Sequence, residues 1–271
     1  MTRREPLPGL PCFTRGSFSV RAMDLLDSEQ RFHDRQALAR TDTFAGDPDR
    51  LLVDDSWLDH ETWIRPAFAA LGDVAGHRVL DYGCGHGMAS VVLARCAAAV
   101  TAFDLSPGYL AEARARARAN GVRIDLVCAD AERLPFADDS FDRVWGNAVL
   151  HHLDLDRAAR ELRRVLRSGG RAVFCEPWVG NALLNWARAR LPYPGKGRTP
   201  DEHPLRPRDL RPLRRVFPGL TVRGFQLMSM VRRVLQPGRL TASLERMDER
   251  LLTRFPGLQR FCRYVVLTLR R

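Results

Sequence analysis

The sequence predicts an α/β protein with a mostly parallel sheet and helices on both of its faces. Between residues 78 and 175, short β-rich runs alternate with helical stretches, which is the pattern of a parallel sheet. A glycine-rich turn directly follows the first of these runs. The chain has 271 residues, 45% of them hydrophobic, which is enough for one large core.

Composition and charge exclude several classes of protein. No apolar run approaches the ~18 residues of a membrane-spanning helix, and no signal-peptide pattern follows Met1, so we expect a cytoplasmic protein. The six cysteines include no Cys-x-x-Cys pair, so we expect reduced thiols and no metal site. Residues 1–150 carry 17 basic and 22 acidic side chains, whereas residues 151–271 carry 26 and 10. The C-terminal half should therefore have a positive field.

The N-terminal part precedes the alternating region. Residues 1–22 are rich in proline, glycine, serine and arginine, and we expect a flexible leader there. Residues 24–45 and 56–71 have the apolar spacing of helices, with a break at 47–49. We assign residues 23–75 to a helical cap.

Five strands and three helices are expected in the alternating region, residues 76–177. The expected strands are 78–81, 99–103, 124–128, 143–145 and 171–175, and the expected helices are 88–96, 107–120 and 157–166. Gly121 and the pair Gly169 and Gly170 follow two of these helices and are predicted to cap them.

The alternation ends after residue 177. We expect a substrate-cap insertion at 178–209, with a helix at 178–190 and a loop rich in proline and glycine at 191–207. Residues 210–271 are expected to complete the sheet. The predicted elements there are a short helix at 210–217, a strand at 222–235, an amphipathic helix at 240–254 and a final strand at 264–269.

The most specific motif is the segment from Val79 to Gly87, Val-Leu-Asp-Tyr-Gly-Cys-Gly-His-Gly. An apolar strand ends in Asp81 and enters a turn whose glycines let the backbone approach a ligand closely. A dinucleotide-binding fingerprint needs Gly-x-Gly-x-x-Gly, but Met88 occupies the place of its third glycine. The Asp81 carboxylate would repel a pyrophosphate and attract a cationic amino-acid group.

Two further acids end the next two strands. Asp104 stands about twenty residues after the glycine turn, where an acid typically accepts hydrogen bonds from ribose hydroxyls. Asp130 ends the third strand, at a place suited to holding an adenine amino group. Each acid alone is compatible with a helix N-cap. Three acids at successive strand ends, together with the glycine turn, predict a nucleoside ligand that carries a positive charge.

With these residues at one sheet edge, the chain resembles the class I S-adenosylmethionine-dependent methyltransferases, in particular the small-molecule branch related to ubiquinone and menaquinone C-methyltransferases. The resemblance covers residues 76–177, including the segments 141–153 and 161–170 in the family's order. It implies a Rossmann-like sheet of seven strands whose last strand, supplied by 264–269, is antiparallel, with a small helical and loop cap.

The resemblance also implies the cofactor S-adenosyl-L-methionine. Asp81 and the glycine turn would hold its methionine part, Asp104 its ribose and Asp130 its adenine. The residues that we expect at the cofactor are Asp81, Gly83, Cys84, Gly85, Asp104, Leu105, Asp130, Ala131, Asn147 and Ala148. His86 stands where the family often has threonine or serine, and we expect it to face outward.

Methyl transfer from a sulfonium is an in-line displacement on an activated carbon. Orientation can supply about 7–11 kcal/mol, whereas a general base supplies roughly 3–5 kcal/mol, so whether a base is needed stays open. His151, His152 and Glu176 follow the fourth and fifth strands and are the candidates for proton removal. The plainer interpretations are that one histidine packs or caps, and that Glu176 anchors a loop by hydrogen bonds.

Aromatic and histidine side chains outside the cofactor motif are candidates for the acceptor walls. The candidates are Phe32, His33, Trp57, Trp178 and His203. Ordinary core packing remains an alternative for the aromatic residues, and a place on a surface loop for His203. The acceptor is expected to be a small molecule, methylated on O, N or C, in secondary or quinone-type metabolism.

The basic C-terminal half suggests an acidic acceptor, an acidic carrier protein or an anionic membrane surface as a partner, with a solvated arginine face as the alternative. We expect no DNA partner, because Asn-Ala-Val-Leu at 147–150 lacks the prolines of amino-methylating nucleic-acid enzymes. Methylation of RNA ribose, or of a peptide or carrier-bound substrate, stays open. So does a protein of the same fold that uses the cofactor non-catalytically or for a cyclisation.

Overall fold

Seven strands form one sheet in the computed structural model, which describes residues 20–179, 203–233 and 238–271. The strands are β1 Arg78–Tyr82, β2 Ala99–Asp104, β3 Asp125–Cys128, β4 Phe141–Asn147, β5 Leu166–Pro177, β6 Thr221–Phe225 and β7 Tyr264–Arg270. Their order is β3-β2-β1-β4-β5-β7-β6. Strands β1 to β5 are mutually parallel, and β7 is antiparallel to β5 and β6. The predicted fold class is confirmed.

Helices connect the strands and flank the sheet. In the part of the chain that the structure describes they are α1 Val20–Gly46, α2 Ile64–Leu71, α3 Met88–Arg95, α4 Pro107–Ala119, α5 Leu155–Val165, α6 Arg211–Val216 and α7 Arg239–Arg254. Ser106 caps α4, because its hydroxyl accepts a hydrogen bond from the Tyr109 amide at 3.1 Å. Gly121 follows α4 with φ +63°, as predicted for a capping glycine. No helix among the described residues is long and apolar enough to cross a membrane.

The sheet buries a hydrophobic cluster on each face because successive side chains of a strand point to opposite sides. Leu80 of β1 packs with α5 residues in one cluster, and the adjacent Val79 packs with α2 and α3 residues in the other. Both side chains are fully buried. This alternation confirms the prediction of helices on both faces.

Helix α1 is held against α4 by polar contacts. The Asp34 carboxylate accepts hydrogen bonds from the Ser106 hydroxyl at 2.5 Å and from the Gly108 amide at 3.0 Å. Six residues further along α1, Arg40 pairs with the buried Glu112 at 2.9 Å. These contacts fix where α1 lies over the carboxyl ends of the strands.

Three expectations about local structure were wrong. The segment 222–235 is a strand only to Phe225. Gln226 then takes φ +60°, and the buried Asp248 carboxylate accepts the next three backbone amides, so the chain turns into a 3-10 helix at Ser229–Arg233. The segment 56–71 is a 3-10 helix at Asp55–Asp59 followed by α2, not one helix. Gly169, at φ +74°, lies inside β5 and caps no helix, since β5 begins directly after α5.

Several expectations fall outside the described residues. They include most of the expected leader at 1–22, nearly all of the expected helix at 178–190 and most of the loop at 191–207. The domain boundaries proposed from the sequence therefore stay predictions.

Candidate cofactor and acceptor site

A cavity of about 750 Å³ opens at the carboxyl ends of β1, β2, β3 and β4. The strand order reverses between β1 and β4, which is where open α/β sheets bind their ligands. All the residues predicted at the cofactor line this cavity: Asp81, Gly83, Cys84, Gly85, Asp104, Leu105, Asp130, Ala131, Asn147 and Ala148. The structure thus brings together side chains from four strand ends in one place.

Asp81 is a buried carboxyl group at the end of β1. Its Oδ2 accepts a hydrogen bond from the Ser90 hydroxyl at 2.5 Å. Burial raises its pKa; the hydrogen bond from Ser90 opposes this effect and the negative charge of Asp104 adds to it, so that the pKa is about 7. A cation beside Asp81 would reverse this shift, which makes the position suited to an ammonium group.

Asp104 accepts backbone hydrogen bonds on both of its oxygens. The Gly85 amide donates to Oδ2 at 2.8 Å, and the Ser106 amide donates to Oδ1 at 2.9 Å. Burial raises the pKa of Asp104 against these two bonds. Each carboxylate oxygen has a second lone pair, so the group can still accept two hydroxyl hydrogen bonds.

Asp130 has one satisfied and one unsatisfied oxygen. Oδ1 accepts a hydrogen bond from the Glu132 amide at 2.8 Å, whereas Oδ2 is buried and has no partner among the described residues. Next to it, the buried Tyr82 hydroxyl donates to the Ala131 carbonyl at 2.7 Å. A buried acceptor without a partner costs free energy, so Oδ2 indicates a donor that comes from a ligand.

The glycine turn is shaped for close approach. Gly83 has φ +68°, and a Cβ added there would lie 2.6 Å from the Val149 side chain. Ala148, which directly precedes Val149, is one of four described non-glycine residues with a positive φ, +56°, and its amide donates to the Cys175 carbonyl at 2.7 Å. A backbone conformation of this kind is held by its surroundings and often marks a functional position.

The three candidates for proton removal separate into two groups. His152 lines the cavity, whereas neither His151 nor Glu176 does. Glu176 is fully buried, and its Oε1 accepts hydrogen bonds from the Val149 and Leu150 amides at 3.0 and 2.8 Å. Its Oε2 lies 2.8 Å from His151 Nδ1. Glu176 thus anchors the loop after β4, which was the plainer interpretation of the sequence.

His152 has a carboxylate partner that the sequence did not reveal. Its Nδ1 lies 3.0 Å from Oε1 of Glu29 on α1. The other oxygen of Glu29 lies 3.6 Å from His33 Nε2, and His33 Nδ1 lies 3.3 Å from the Tyr109 hydroxyl. The pairing joins residues 123 positions apart, so no local sequence signal points to it.

The predicted acceptor residues are only partly brought together. His33 and Trp57 line the cavity, with Trp63 and Trp145 beside them. Phe32 lies edge-on to the His33 ring and is not part of the lining. Trp178 is buried in the core, where it is bridged to Leu205, and His203 is exposed at a separate shallow cleft that His151 also lines.

One of the lining tryptophans packs against the last strand of the chain, which itself does not line the cavity. Trp63 stacks on Tyr264 of β7, with ring centroids 3.7 Å apart and an interplanar angle of 9°.

His86, expected to face outward, instead lines the cavity, where burial lowers its pKa to about 4. No group of three or more histidine, cysteine, aspartate or glutamate side chains arranged to hold a metal ion occurs within the described ranges.

Comparison with protein families and curated sequences gives a consistent result. The family model described as a methyltransferase domain matches residues 80–174. Methyltransferase GfsG of Streptomyces halstedii is 39% identical over 146 residues, which are 52% of each chain. Demethylmenaquinone methyltransferase of Clavibacter sepedonicus is 42% identical over 117 residues, 43% of this chain and 47% of that protein. The chain thus spans about half the length of the curated relatives it matches.

Solved structures share the fold. The 4+2 cyclase SpnF has 25% identity and a TM-score of 0.51, with 76% of this chain and 80% of that chain covered. Geranyl diphosphate C-methyltransferase from Streptomyces coelicolor A3(2) has 17% identity and a TM-score of 0.54, with 76% and 77% covered. The second likeness shows the fold alone.

Proposed function

We propose that this chain, whose residues 80–174 match the methyltransferase domain model, binds S-adenosyl-L-methionine and transfers its methyl group to a small-molecule acceptor. One observation carries the proposal: three carboxyl groups, Asp81, Asp104 and Asp130, meet in one cavity from three successive strand ends. That set matches a ligand with a cationic amino acid, a ribose diol and an adenine amino group.

The residues present fit the cofactor on their own chemistry. Asp81 is poised to pair with the ammonium group, and Asp104 keeps free lone pairs for the ribose hydroxyls. Asp130 Oδ2 is a buried acceptor that a ligand donor would satisfy. Gly83 packs so closely against Val149 that a Cβ would not fit, and its backbone lines the cavity where the methionine part would lie.

The bound cofactor supplies an activated methyl group on a sulfonium, so the protein has mainly to orient an acceptor against it. Asn147 at the end of β4 and Ala148 and Val149 directly after it line the cavity, as does His152. Trp57, Trp63 and Trp145 provide an apolar wall that holds an acceptor and excludes water. His152 is in place to accept a proton there.

The acceptor is a small molecule with a substantial apolar surface, of secondary or quinone-type metabolism. The aromatic wall supports the apolar surface. The relatives support the metabolic class, because one is named for an acceptor of the quinone type, demethylmenaquinone.

Calorimetry with S-adenosylmethionine and S-adenosylhomocysteine tests the proposal. We expect both to bind the wild-type protein and the Asp104→Ala variant to lose at least tenfold in affinity, since charged hydrogen bonds contribute about 1.5–3 kcal/mol. Asp125→Ala is the matched control, because Asp125 is exposed at the opposite end of the sheet, at the start of β3. Absence of binding by the wild-type protein, or equal affinity in Asp104→Ala, would contradict the proposal.

A second candidate function is a cyclisation or other rearrangement in which the cofactor is bound but not consumed. The likeness to the 4+2 cyclase SpnF, over four fifths of that chain, favours it specifically. The two functions differ in stoichiometry. Methyl transfer converts one S-adenosylmethionine to S-adenosylhomocysteine for each acceptor and adds 14 Da to the product, whereas a cyclisation leaves both masses unchanged.

A further inference from the structure

Glu29 lies on α1, the helix that covers the cavity, and its carboxylate contacts His152. His152 lines the cavity, whereas the adjacent His151 does not. Its Oε1 lies 3.0 Å from His152 Nδ1, and both side chains are mostly buried, with 15% and 17% exposure. The remaining ring nitrogen of His152, Nε2, has no hydrogen bond to a described residue.

A carboxylate at Nδ1 determines what the imidazole can do. It accepts the Nδ1 hydrogen and so holds the neutral ring in the tautomer whose Nε2 carries a lone pair. It also stabilises the imidazolium that forms when Nε2 takes a proton. The neighbouring pair, His151 and Glu176, has the same contact but lies outside the cavity, so only the pair of Glu29 and His152 can meet an acceptor.

We propose that Glu29 is a positioning residue that orients His152 as a general base, and that the acceptor therefore carries a removable proton on its attacking atom. This inference rests on the proposed function. It narrows the acceptor to molecules such as phenols, hydroquinones, enols or alcohols, and excludes acceptors that attack through an unprotonated lone pair.

The proposed step is balanced without a further reactant. His152 Nε2 takes the proton from the acceptor atom while that atom forms a bond to the methyl carbon. The carbon–sulfur bond breaks, and its electron pair stays on the sulfur, which becomes the neutral thioether of S-adenosylhomocysteine. The positive charge thus moves from the sulfonium to the imidazolium beside Glu29, and the proton is then released to solvent.

Other charged and titratable groups face this pair. His33 on α1 shares Glu29, and the His151 ring lies 4.1 Å from that of His152. Glu132 and Arg157 line the same cavity and are paired with each other at 3.4 Å. Asp34 and Arg40 fasten α1 to α4, so the position of Glu29 does not depend on its contact with His152.

Nitrogen-15 NMR of the histidine rings tests the contact without an acceptor. In the wild-type protein we expect neutral His152 to carry its proton on Nδ1, and in Glu29→Ala we expect the Nε2-protonated form to become the major one. The resonance is assigned from its loss in His152→Gln. Glu61→Ala is the matched control, because Glu61 is also a carboxylate of the cavity wall but bonds to Gln226 at 2.8 Å and not to a histidine.

The proposal is overturned if the neutral His152 ring of the wild-type protein carries its proton on Nε2. It is also overturned if Glu29→Ala leaves the tautomer of His152 unchanged. Either result is compatible with cofactor binding in the calorimetric experiment. Failure of the proposal about Glu29 can therefore be distinguished from failure of the proposed function. Unchanged affinity for S-adenosylhomocysteine in Glu29→Ala shows that the variant is folded.

Turnover gives a second measurement with any acceptor identified by screening. We expect Glu29→Ala to lower kcat about 10–100-fold with little change in KM. In the double variant with His152→Gln, the loss should equal that of His152→Gln alone, because the proposed effect of Glu29 on kcat passes through His152. Additive losses would show a merely structural role and would overturn the proposal.

Discussion

Burial, together with the negative charge of Asp104 on the adjacent strand, raises the pKa of Asp81 to about 7. The fold thus keeps two carboxyl groups close together in a buried place, where each disfavours the charge of the other. A ligand that brings a positive charge removes this cost, and the ligand's affinity should therefore depend on pH.

We predict that affinity for S-adenosylmethionine increases with pH up to about pH 7.5. The ligand's ammonium group pairs with ionised Asp81, and below its pKa the carboxyl group must first lose a proton. Affinity at pH 6 should be roughly tenfold weaker than at pH 7.5. Above about pH 8 the trend should level off or reverse, because a free α-amino group then loses its charge. Calorimetry across this range measures the effect.

The control for this prediction is Asp81→Asn, which should bind S-adenosylmethionine weakly and with no pH dependence between pH 6 and 7.5.

The Asp81→Asn variant should also be more stable than wild type at pH 8, by about 1–3 kcal/mol. A carboxyl group whose pKa is raised by folding is most favourable when protonated, and its contribution to stability is lost as the pH rises through about 7. Thermal unfolding at pH 5 and pH 8 measures this effect. The stability difference between Asp81→Asn and wild type should be smaller at pH 5, where Asp81 is protonated in the folded protein.

Asp130 should select for the amino group of adenine. Because its Oδ2 has no partner among the described residues, we predict that wild type binds S-adenosylhomocysteine at least tenfold more tightly than the inosine analogue, which lacks that amino group. In Asp130→Ala the two ligands should bind with nearly equal affinity. A preference that survives the substitution would show that another group reads the base.

Gly83 and Gly76 provide a matched pair for the glycine turn. Both have a positive φ, +68° and +69°, but only at Gly83 would a Cβ meet a side chain, that of Val149. Gly76→Ala should cost about 1–2 kcal/mol of stability for the backbone conformation alone. Gly83→Ala should cost about 1–3 kcal/mol more for overpacking and should also weaken cofactor binding. Denaturant unfolding and calorimetry measure the two effects, and equal losses of stability in the two variants would contradict the overpacking.

Glu176 should matter for stability and not for cofactor binding. Its carboxylate accepts two backbone amides and pairs with His151, all in a fully buried place. Glu176→Ala should therefore lose about 3–5 kcal/mol of stability, the typical cost of breaking a buried pair. Glu176→Gln, which keeps one acceptor oxygen, should lose less and should retain affinity for S-adenosylhomocysteine at a temperature where it is folded. A Glu176→Gln variant that is stable but does not bind would place Glu176 at the ligand after all.

The sequence was sufficient for the sheet and the cofactor side of the cavity because those signals are local. Asp81 and the glycine turn are contiguous, and Asp104 and Asp130 each end an apolar run, so topology alone brings them together. Their assignment to parts of the cofactor stays a prediction.

The acceptor side of the cavity could not be predicted from local sequence signals. Glu29 is an ordinary acid on a polar helix, and it acquires meaning only because Asp34 and Arg40 fix that helix over the cavity. Likewise, two adjacent histidines look equivalent in the sequence. Their roles diverge because the 3-10 turn at Leu150–His152 directs one toward Glu176 and the other toward Glu29.

The errors in local structure have the same origin. The predicted strand at 222–235 is apolar enough to continue, but the Asp248 carboxylate, 19 to 21 positions away, accepts hydrogen bonds from three of its backbone amides. Gly169 follows a helix, as a cap does, yet β5 starts without a connecting loop and takes the glycine into the strand. His86 lines the cavity, although its place in the turn predicted that it would face outward.

The sheet order has a consequence for synthesis on the ribosome. Strand β7 lies between β5 and β6, although it is the last described strand to be made. Until it emerges, one edge of β5 is open, with the apolar Val173 and Phe174 in the middle of that strand. The 93 residues that follow Pro177, up to and including Arg270, take about 5–20 s to translate. During that interval the nascent chain exposes an unpaired apolar strand edge of the kind that chaperones shield and that promotes aggregation.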